Sequence, residues 1–382
     1  MDQIPVFKPL IEDEEKNAAL KSLEVGWLGM GASVGEFEDA LKAFIGCDDR
    51  YVVAVNTGHA ALHLAMMLIG LEPGDEVITP SFNNVADFQA ILAVGALPVL
   101  CDIREDTLCI DAMKVEELIG PKTKAIIVMD YGCCLADYDD ISDLAAKYNL
   151  RVIHDAAHSI GSYYKGKKVG MFSDICMFSF DPVKTITCID GGALVVKTQE
   201  EVDLLHQMRL VGMGQSAGEM YKNQRAWTYD VSCLGFRYHM ANLHAAIGLA
   251  QLEKINDITD SRQASCILYN ELLEGVKQVR TPKSDFMDVT PFHYYIRVNP
   301  EYRHSLREFL KNNSIDTGVH WQPGHWFALL SDVRKGDLNV TNMVGEQILS
   351  LPLHSNMESA TIMKIVKAIE IFFSVPRVKR EK

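Results

Sequence analysis

From about residue 50 to residue 197 short apolar runs alternate with amphipathic segments, and this alternation limits the chain to very few folds. The apolar runs are Tyr51–Val55, Glu76–Thr79, Pro98–Ile103, Ala125–Met129, Arg151–His154, Ile175–Phe180 and Ala193–Lys197. Between them the pattern predicts helices over Ala60–Ile69, Val85–Val94, Ala112–Ile119 and Ile141–Tyr148. Strands that alternate with helices pair in parallel through right-handed crossovers, with helices on both faces of the sheet. The runs are nearly continuous in apolar residues, as strands buried on both sides require. The expected fold class is therefore α/β, a mostly parallel sheet sandwiched by helices.

At 382 residues the chain is too long for a single core. A helical stretch runs through Ala241–Ile255, after which the texture changes to a helix over Arg262–Glu274, a strand at Tyr294–Val298 and helices near His304–Asn312 and Met357–Phe373. This reads as a large domain over 1–255, with an N-terminal segment 1–38, followed by a smaller α+β domain over 256–382.

Composition excludes several functions. The net charge of −14 runs against nucleic-acid binding, and the basic tail Arg377–Lys382 reads as a solvated terminus. The uncharged stretch Phe88–Cys101 is too short to span a bilayer and contains Gly95 and Pro98. No signal peptide is visible at the acidic start, so a cytoplasmic protein with no membrane partner is expected. The nine cysteines include no CxxC, which fits buried, reduced thiols and calls for no metal.

In an open parallel sheet, ligands sit at the carboxyl ends of the strands. That rule selects four turns: Asn56–His59, Pro80–Asn84, Asp155–His158 and Ser179–Lys184. Asn56-Thr57-Gly58-His59 opens a helix, where backbone N–H groups and a glycine can accept a phosphate. Taken alone, a plain cap by Asn56 or Thr57 explains it better. Asp155 ends an apolar strand, so its carboxylate needs an N–H or cationic partner, for which a pyridinium nitrogen, a helix cap and a salt bridge all qualify. His158 would share the cavity. Lys184 follows a strand and Pro182; burial would lower its pKa and make it an amine nucleophile, although most lysines are surface groups. Gly161-x4-Gly166-Lys167 imitates a phosphate loop, but Lys168 stands where Ser or Thr is needed, and YYKGKKVG reads as a β-hairpin.

The joint order of phosphate turn, aspartate and lysine resembles the DegT-like sugar aminotransferases, fold-type-I pyridoxal-phosphate enzymes. The resemblance covers nearly the whole chain: GWLGMGASVGEFE at Gly26–Glu38, NTGHAAL, LEPGDEVITPSF at Leu71–Phe82, HDAAHSIGS, SFDPVKTITCIDGGAL at Ser179–Leu194, LGFRYHMANLHAAIGLAQLEKI at Leu234–Ile255 and LPLHSNM at Leu351–Met357. It implies that Lys184 holds pyridoxal 5′-phosphate as an internal aldimine and shuttles the proton. Asp155 would pair with the pyridinium nitrogen. Gly58, His59 and Ser179 would bind the phosphate, and His158 would lie near the 3′-oxygen. Asn84 falls where the family stacks an aromatic ring, and its amide plane could lie flat on the cofactor. Arg237 falls where an Asn reaches the phosphate of the neighbouring subunit, which implies a homodimer with shared active sites. His59 replaces the usual Thr, and Arg237 would add a charge-assisted contact.

The implied reaction passes an amino group from L-glutamate to a nucleotide-linked keto-sugar, most often a 4-keto-6-deoxy hexose. Trp27, Gly29, His320, Trp321, His325 and His354 are the candidate sugar-side residues; surface or interdomain packing is their other reading. A sugar 3-dehydratase on the same scaffold typically carries His in place of the lysine, and Lys184 speaks against it. Intact Asp155, Ser179 and Lys184 speak against a non-catalytic relative, and the missing GxGxxG against a Rossmann oxidoreductase. Because cofactor and substrate are anionic and the chain is acidic, positive potential must be local. Helix N-termini, Lys184, Arg237 and the histidines near 320–325 are its candidate sources.

Overall fold

The computed structural model describes residues 3–214, 221–222 and 228–374; the basic tail lies outside the described residues. A seven-stranded sheet organises the first half. Its strands are β1 (Tyr51–Val55), β2 (Glu76–Pro80), β3 (Leu97–Cys101), β4 (Thr123–Met129), β5 (Arg151–Asp155), β8 (Ile175–Ser179) and β9 (Gly192–Val196), in the order β1-β9-β8-β5-β4-β2-β3. Alternate residues of one strand enter opposite layers: Val53 and Val55 pack with helix Gly58–Leu68, while Val52 and Ala54 join the core on the other side. That two-sided burial is what the continuous apolar runs required.

Parallel pairing holds for β2, β3, β4, β5 and β8, but β9 runs antiparallel to both of its neighbours. The sheet is thus mostly parallel, as the alternation predicts, with β9 as its exception. No helix separates β8 from β9, and without a crossover the chain returns antiparallel. The decoy phosphate loop is a hairpin, β6 (Tyr163–Tyr164) paired antiparallel with β7 (Lys167–Lys168).

Two N-terminal helices, Asp13–Val25 and Ala32–Ile45, pack on helix Asn242–Glu253, and the second of them brings Val34, Phe37, Leu41 and Ile45 into the core. Helix Ile255–Leu273 follows almost without a break and starts earlier than the predicted Arg262. Beyond it, β10 (Val279–Arg280), β11 (Tyr294–Val298) and β12 (Ile348–Leu351) form an antiparallel sheet. Helices Pro300–Asn312 and Ser359–Ser374 pack against each other beside it. The N-terminal segment reaches this second half, because Ile4 bonds to the Ser314 carbonyl and Val6 accepts the Leu353 N–H.

Candidate active site

Register sets the site. Met129, Asp155 and Met177 are partners across β4, β5 and β8, and Gly192 is the partner of both Val55 and Ser179. The turns after β1, β2, β5 and β8 therefore emerge along one edge. They open onto a cavity of about 680 Å³ whose lining includes Gly58, His59, Asn84, Asp155, His158, Ser179 and Lys184.

The first turn is built by close approach. Thr57 caps helix Gly58–Leu68, its Oγ1 accepting the Ala60 N–H at 2.9 Å. A Cβ on Gly58 would lie 2.8 Å from Ser179, so the strand end can touch the turn only because residue 58 is glycine. Thr57 takes one N–H of a helix end that leaves its first N–H groups without intrahelical partners, and Gly58 and His59 face the cavity there.

Lys184 is fixed by the turn Asp181–Lys184. Asp181 accepts the Lys184 N–H on its carbonyl at 3.0 Å and the Val183 N–H on Oδ1 at 3.0 Å, and Pro182 supplies the φ such a turn favours. The side chain is partly exposed into the cavity, yet the protein around it lowers its pKa. Asp155, then Asp181 and Asp87, oppose that shift. Its Nζ lies 4.4 Å from the centre of the Phe292 ring.

Asp155 is buried, and its Oδ1 accepts the Ala157 N–H at 2.9 Å. Burial raises its pKa; the Ala157 bond, Lys184 and His154 act against the rise. His158 is also buried, and its Nδ1 accepts the Gly132 N–H at 3.2 Å. Burial, followed by Lys184, His293 and His320, holds its pKa well below 6.5. A neutral ring accepting at Nδ1 carries its proton on Nε2. The ring stacks on Phe292 at 4.3 Å and lies near-parallel to Trp321 at 5.8 Å.

Behind β5, Asp130 receives four donors: Tyr138 Oη at 2.7 Å, His154 Nε2 at 2.7 Å, the Ala136 N–H at 3.0 Å, and Ser159 Oγ. Burial opposes a charged His154, but Asp130 and Cys176 together outweigh it and push that pKa up to about 10. This network braces both ends of the Asp155–Ser159 loop.

Of the proposed sugar-side residues, His320 and Trp321 line the cavity. Trp27, Gly29, His325 and His354 are outside its lining. Trp27 Nε1 donates to the Met30 carbonyl, and the Trp27 and Gly29 carbonyls accept from Asn242 at the start of its helix. His325 is held between Ser81 Oγ at 2.8 Å and Asn342 Oδ1 at 2.9 Å. The His354 N–H faces Met357 Sδ at 3.4 Å. Arg237 is exposed and is likewise outside the lining; its carbonyl accepts from Asn56 Nδ2 at 3.4 Å, beside the first turn. Asn84 lines the cavity, but its Oδ1 caps helix Val85–Ala93 by accepting the Ala86 N–H. The aromatic surfaces come instead from Phe7, Phe292 and Trp321, and Phe7 stacks on Phe292 at 5.1 Å. Phe7 and Phe292 were not legible in the local pattern, since both arrive from segments distant in sequence.

The histidines are not sources of positive charge near neutral pH. Burial, aided by Lys184, brings His320 down to about 4, and burial also lowers His325. Among the described lining residues Lys184 is the one Lys or Arg.

The DegT/DnrJ/EryC1/StrS aminotransferase family matches residues 9–370. The chain belongs to that family. An uncharacterized protein of Methanocaldococcus jannaschii is 31% identical over 385 residues, covering 98% of each chain. The Helicobacter pylori aminotransferase PseC, involved in the biosynthesis of pseudoaminic acid, superposes with a TM-score of 0.90 at 25% identity, over 98% of this chain and 100% of that one. A Streptococcus pneumoniae sugar aminotransferase in its pyridoxal-phosphate form gives 0.86 at 25% identity, over 97% and 99%. The protein is thus a pyridoxal-phosphate-dependent aminotransferase of fold type I. Among the described residues no helix is long and apolar enough to cross a membrane.

Proposed function

We propose that the enzyme transfers an amino group from L-glutamate to a nucleotide-linked keto-sugar, with a 4-keto-6-deoxy hexose as the favoured acceptor. The observation that carries this reading is the convergence of Gly58, Ser179, Asp155, His158 and Lys184 on one cavity. The residues suit pyridoxal phosphate. The glycine cradle at residue 58 lies against a serine, a buried carboxylate faces the cavity, and the facing amine is made easier to deprotonate by burial.

In that reading Gly58, His59 and Ser179 bind the phosphate. Asp155 pairs with the ring nitrogen, and His158 offers its Nε2–H to the 3′-oxygen. When bound, the cofactor supplies the electron sink that stabilises negative charge at the donor's α-carbon. Lys184 Nζ, with its lowered pKa, would take the donor's α-proton and pass it to the cofactor, and in the reverse half-reaction would deliver a proton to the acceptor carbon. Phe7, Phe292 and Trp321 keep water from the amine. The exposed Arg237 serves the phosphate of a second subunit in a homodimer. We also take residue 255 as the division between a large cofactor domain and a smaller domain that closes over the acceptor, and the cytoplasm as the site of action. The H. pylori relative's part in pseudoaminic acid biosynthesis supports a sugar acceptor.

The test is a pair of half-reactions. L-Glutamate added to the loaded enzyme should bleach its visible absorption and release 2-oxoglutarate, and borohydride should trap the cofactor on Lys184. A panel of nucleotide-linked keto-sugars should then restore the absorption. Bleaching by another amine but not by glutamate refutes the donor; restoration only by free keto-acids refutes the acceptor.

A further inference from the structure

Ser350 is a buried hydroxyl that the reading above does not use. It lies in β12 opposite Gly318, with which it exchanges two backbone hydrogen bonds. The Gly318 N–H donates to the Ser350 carbonyl at 3.0 Å, and the Ser350 N–H to the Gly318 carbonyl at 2.8 Å. Two residues beyond Gly318, the His320 ring folds back over this pair and sets its Nδ1 2.9 Å from Ser350 Oγ. The fold-back needs a glycine, because a Cβ on Gly318 would lie 2.9 Å from that Nδ1. Phe7 and Trp321 meet the ring at steep angles, at 5.2 and 5.0 Å, and His293 lies at 5.5 Å. The ring is thus held in one orientation, and it lines the cavity together with Lys184.

The direction of the Ser350 bond decides what the ring offers. A hydroxyl carries one hydrogen and two lone pairs. Among the described residues His320 Nδ1 is the one hydrogen-bond partner of Ser350 Oγ. If Oγ accepted from an Nδ1–H, its own buried hydrogen would be left unpaired; if it donates, only a lone pair goes unused, which costs less. Ser350 therefore donates to Nδ1. The ring is neutral, since burial and then Lys184 hold its pKa at about 4, and without the lysine's charge burial still acts in the same direction. A neutral ring accepting at Nδ1 keeps its hydrogen on Nε2. Both nitrogens of His293 are sealed in the interior without partners, whereas His320 Nε2 is not sealed and has no partner among the described residues.

We propose that Ser350, with Gly318, clamps His320 in a single tautomer whose Nε2–H is offered to the cavity as a hydrogen-bond donor for an oxygen of the amino-group acceptor, a hydroxyl or a carbonyl. The ligand half rests on the acceptor reading above; the clamp itself does not. Ser350 and Gly318 are positioning residues in this scheme, acting on the acceptor through His320. A donor fixed in this way discriminates: it favours a ligand that places an oxygen there and leaves a buried N–H unpaired against one that places a methyl group.

Nitrogen NMR on histidine-labelled, cofactor-free protein near neutral pH tests the clamp, with the His320 signals identified by their loss in His320→Gln. In the wild type Nε2 should show the shift of a protonated, pyrrole-type nitrogen and Nδ1 that of a bare, pyridine-type one. In Ser350→Ala the two shifts should move toward a common average. Gly318→Ala, which leaves the hydroxyl in place but pushes the ring off it, should do the same. A hydrogen on Nδ1 in the wild type overturns the clamp whether or not the variants fold, and so do unchanged signals in a folded variant. For the ligand half, the keto-sugar that restores the absorption in the second half-reaction should be needed at about two- to tenfold higher concentration in Ser350→Ala, the loss expected for one neutral hydrogen bond. An unchanged concentration overturns that half. If no keto-sugar restores the absorption, the acceptor reading fails and the ligand half with it, while the spectra of the empty protein still judge the clamp.

Discussion

Raising the pH should dismantle the Asp130–His154 pair without touching a covalent bond. His154 and Asp130 are each about 1% exposed, their atoms are 2.7 Å apart, and the histidine's pKa stands at about 10 against 6.5 when unfolded. The folded state therefore binds the proton more tightly. The stabilisation is fully present below pH 6.5 and is lost as the pH rises toward 10. At about 1.4 kcal/mol per pH unit the displacement corresponds to on the order of 4–5 kcal/mol, an upper figure for so buried a pair. Urea unfolding of the cofactor-free protein at pH 6, 8 and 9.5, wild type against His154→Gln, reads it directly. The wild type's advantage should be several kcal/mol at pH 6 and should shrink steadily above pH 7. An advantage equally large at pH 6 and pH 9.5 would refute a charged native His154. Asp155 and His158 sit in the loop the network braces, so the variant should also bind pyridoxal phosphate more weakly at pH 6.

Three further outcomes follow from distances in the structure. Gly58→Ala drives a Cβ to 2.8 Å from Ser179 and should cost about 1–3 kcal/mol in stability and weaken pyridoxal-phosphate binding in a fluorescence titration; Ser179→Gly in the same chain should recover part of the stability. Arg209, wholly buried, donates to Glu38 Oε1 at 2.6 Å and to the Ala54 carbonyl at 2.7 Å; Arg209→Met leaves the Glu38 charge without its cation, held only by the Ala54 N–H and the Tyr221 hydroxyl, and should cost roughly 3–5 kcal/mol in chemical denaturation, with Glu38→Gln restoring part. Proton NMR of the empty protein should show no titration of the His320 ring above about pH 5, because burial and Lys184 hold its pKa at about 4.

Much of the large sheet was legible because its strands are buried on both faces, so Tyr51–Val55 and Arg151–Asp155 stand out as apolar runs whatever their neighbours do. Tyr294–Val298 was legible for the same reason; it is buried along its whole length. Helix Asp13–Val25 was not, because only Glu15 and Ser22 are buried on it and its start is marked by a Glu12–Glu15 capping box rather than an apolar stripe. The direction of β9 was open to the same reading: Pro182 and Gly191-Gly192 leave no room for a crossover helix. At the site, turns that follow strands could be named, since the edge of a parallel sheet gathers them. Phe7 and Phe292 could not, because each reaches the cavity through contacts across the whole chain. His325 and Trp27 show the opposite failure: residue types suited to a sugar site are engaged in local hydrogen bonds.

The charge problem posed by a −14 chain that binds anions then has a physical answer. The buried histidines around the cavity, His158, His293 and His320, are all held neutral, which spares Lys184 repulsion from like charges. Yet the lysine's own burial favours its uncharged form, so this chain's own cavity lining offers the phosphate no permanent cation, and in the proposed reading one could come only from Arg237 of a second subunit. What remains fixed in sign is the end of helix Gly58–Leu68, a dipole that no pH change removes. An enzyme whose amine must lose its proton to react gains from placing the anion's attraction in backbone groups and leaving the lysine free to change charge. Substituting the cradle at residue 58 and substituting Lys184 should accordingly separate: the first weakens phosphate binding, the second abolishes the covalent bond while leaving the phosphate subsite able to bind.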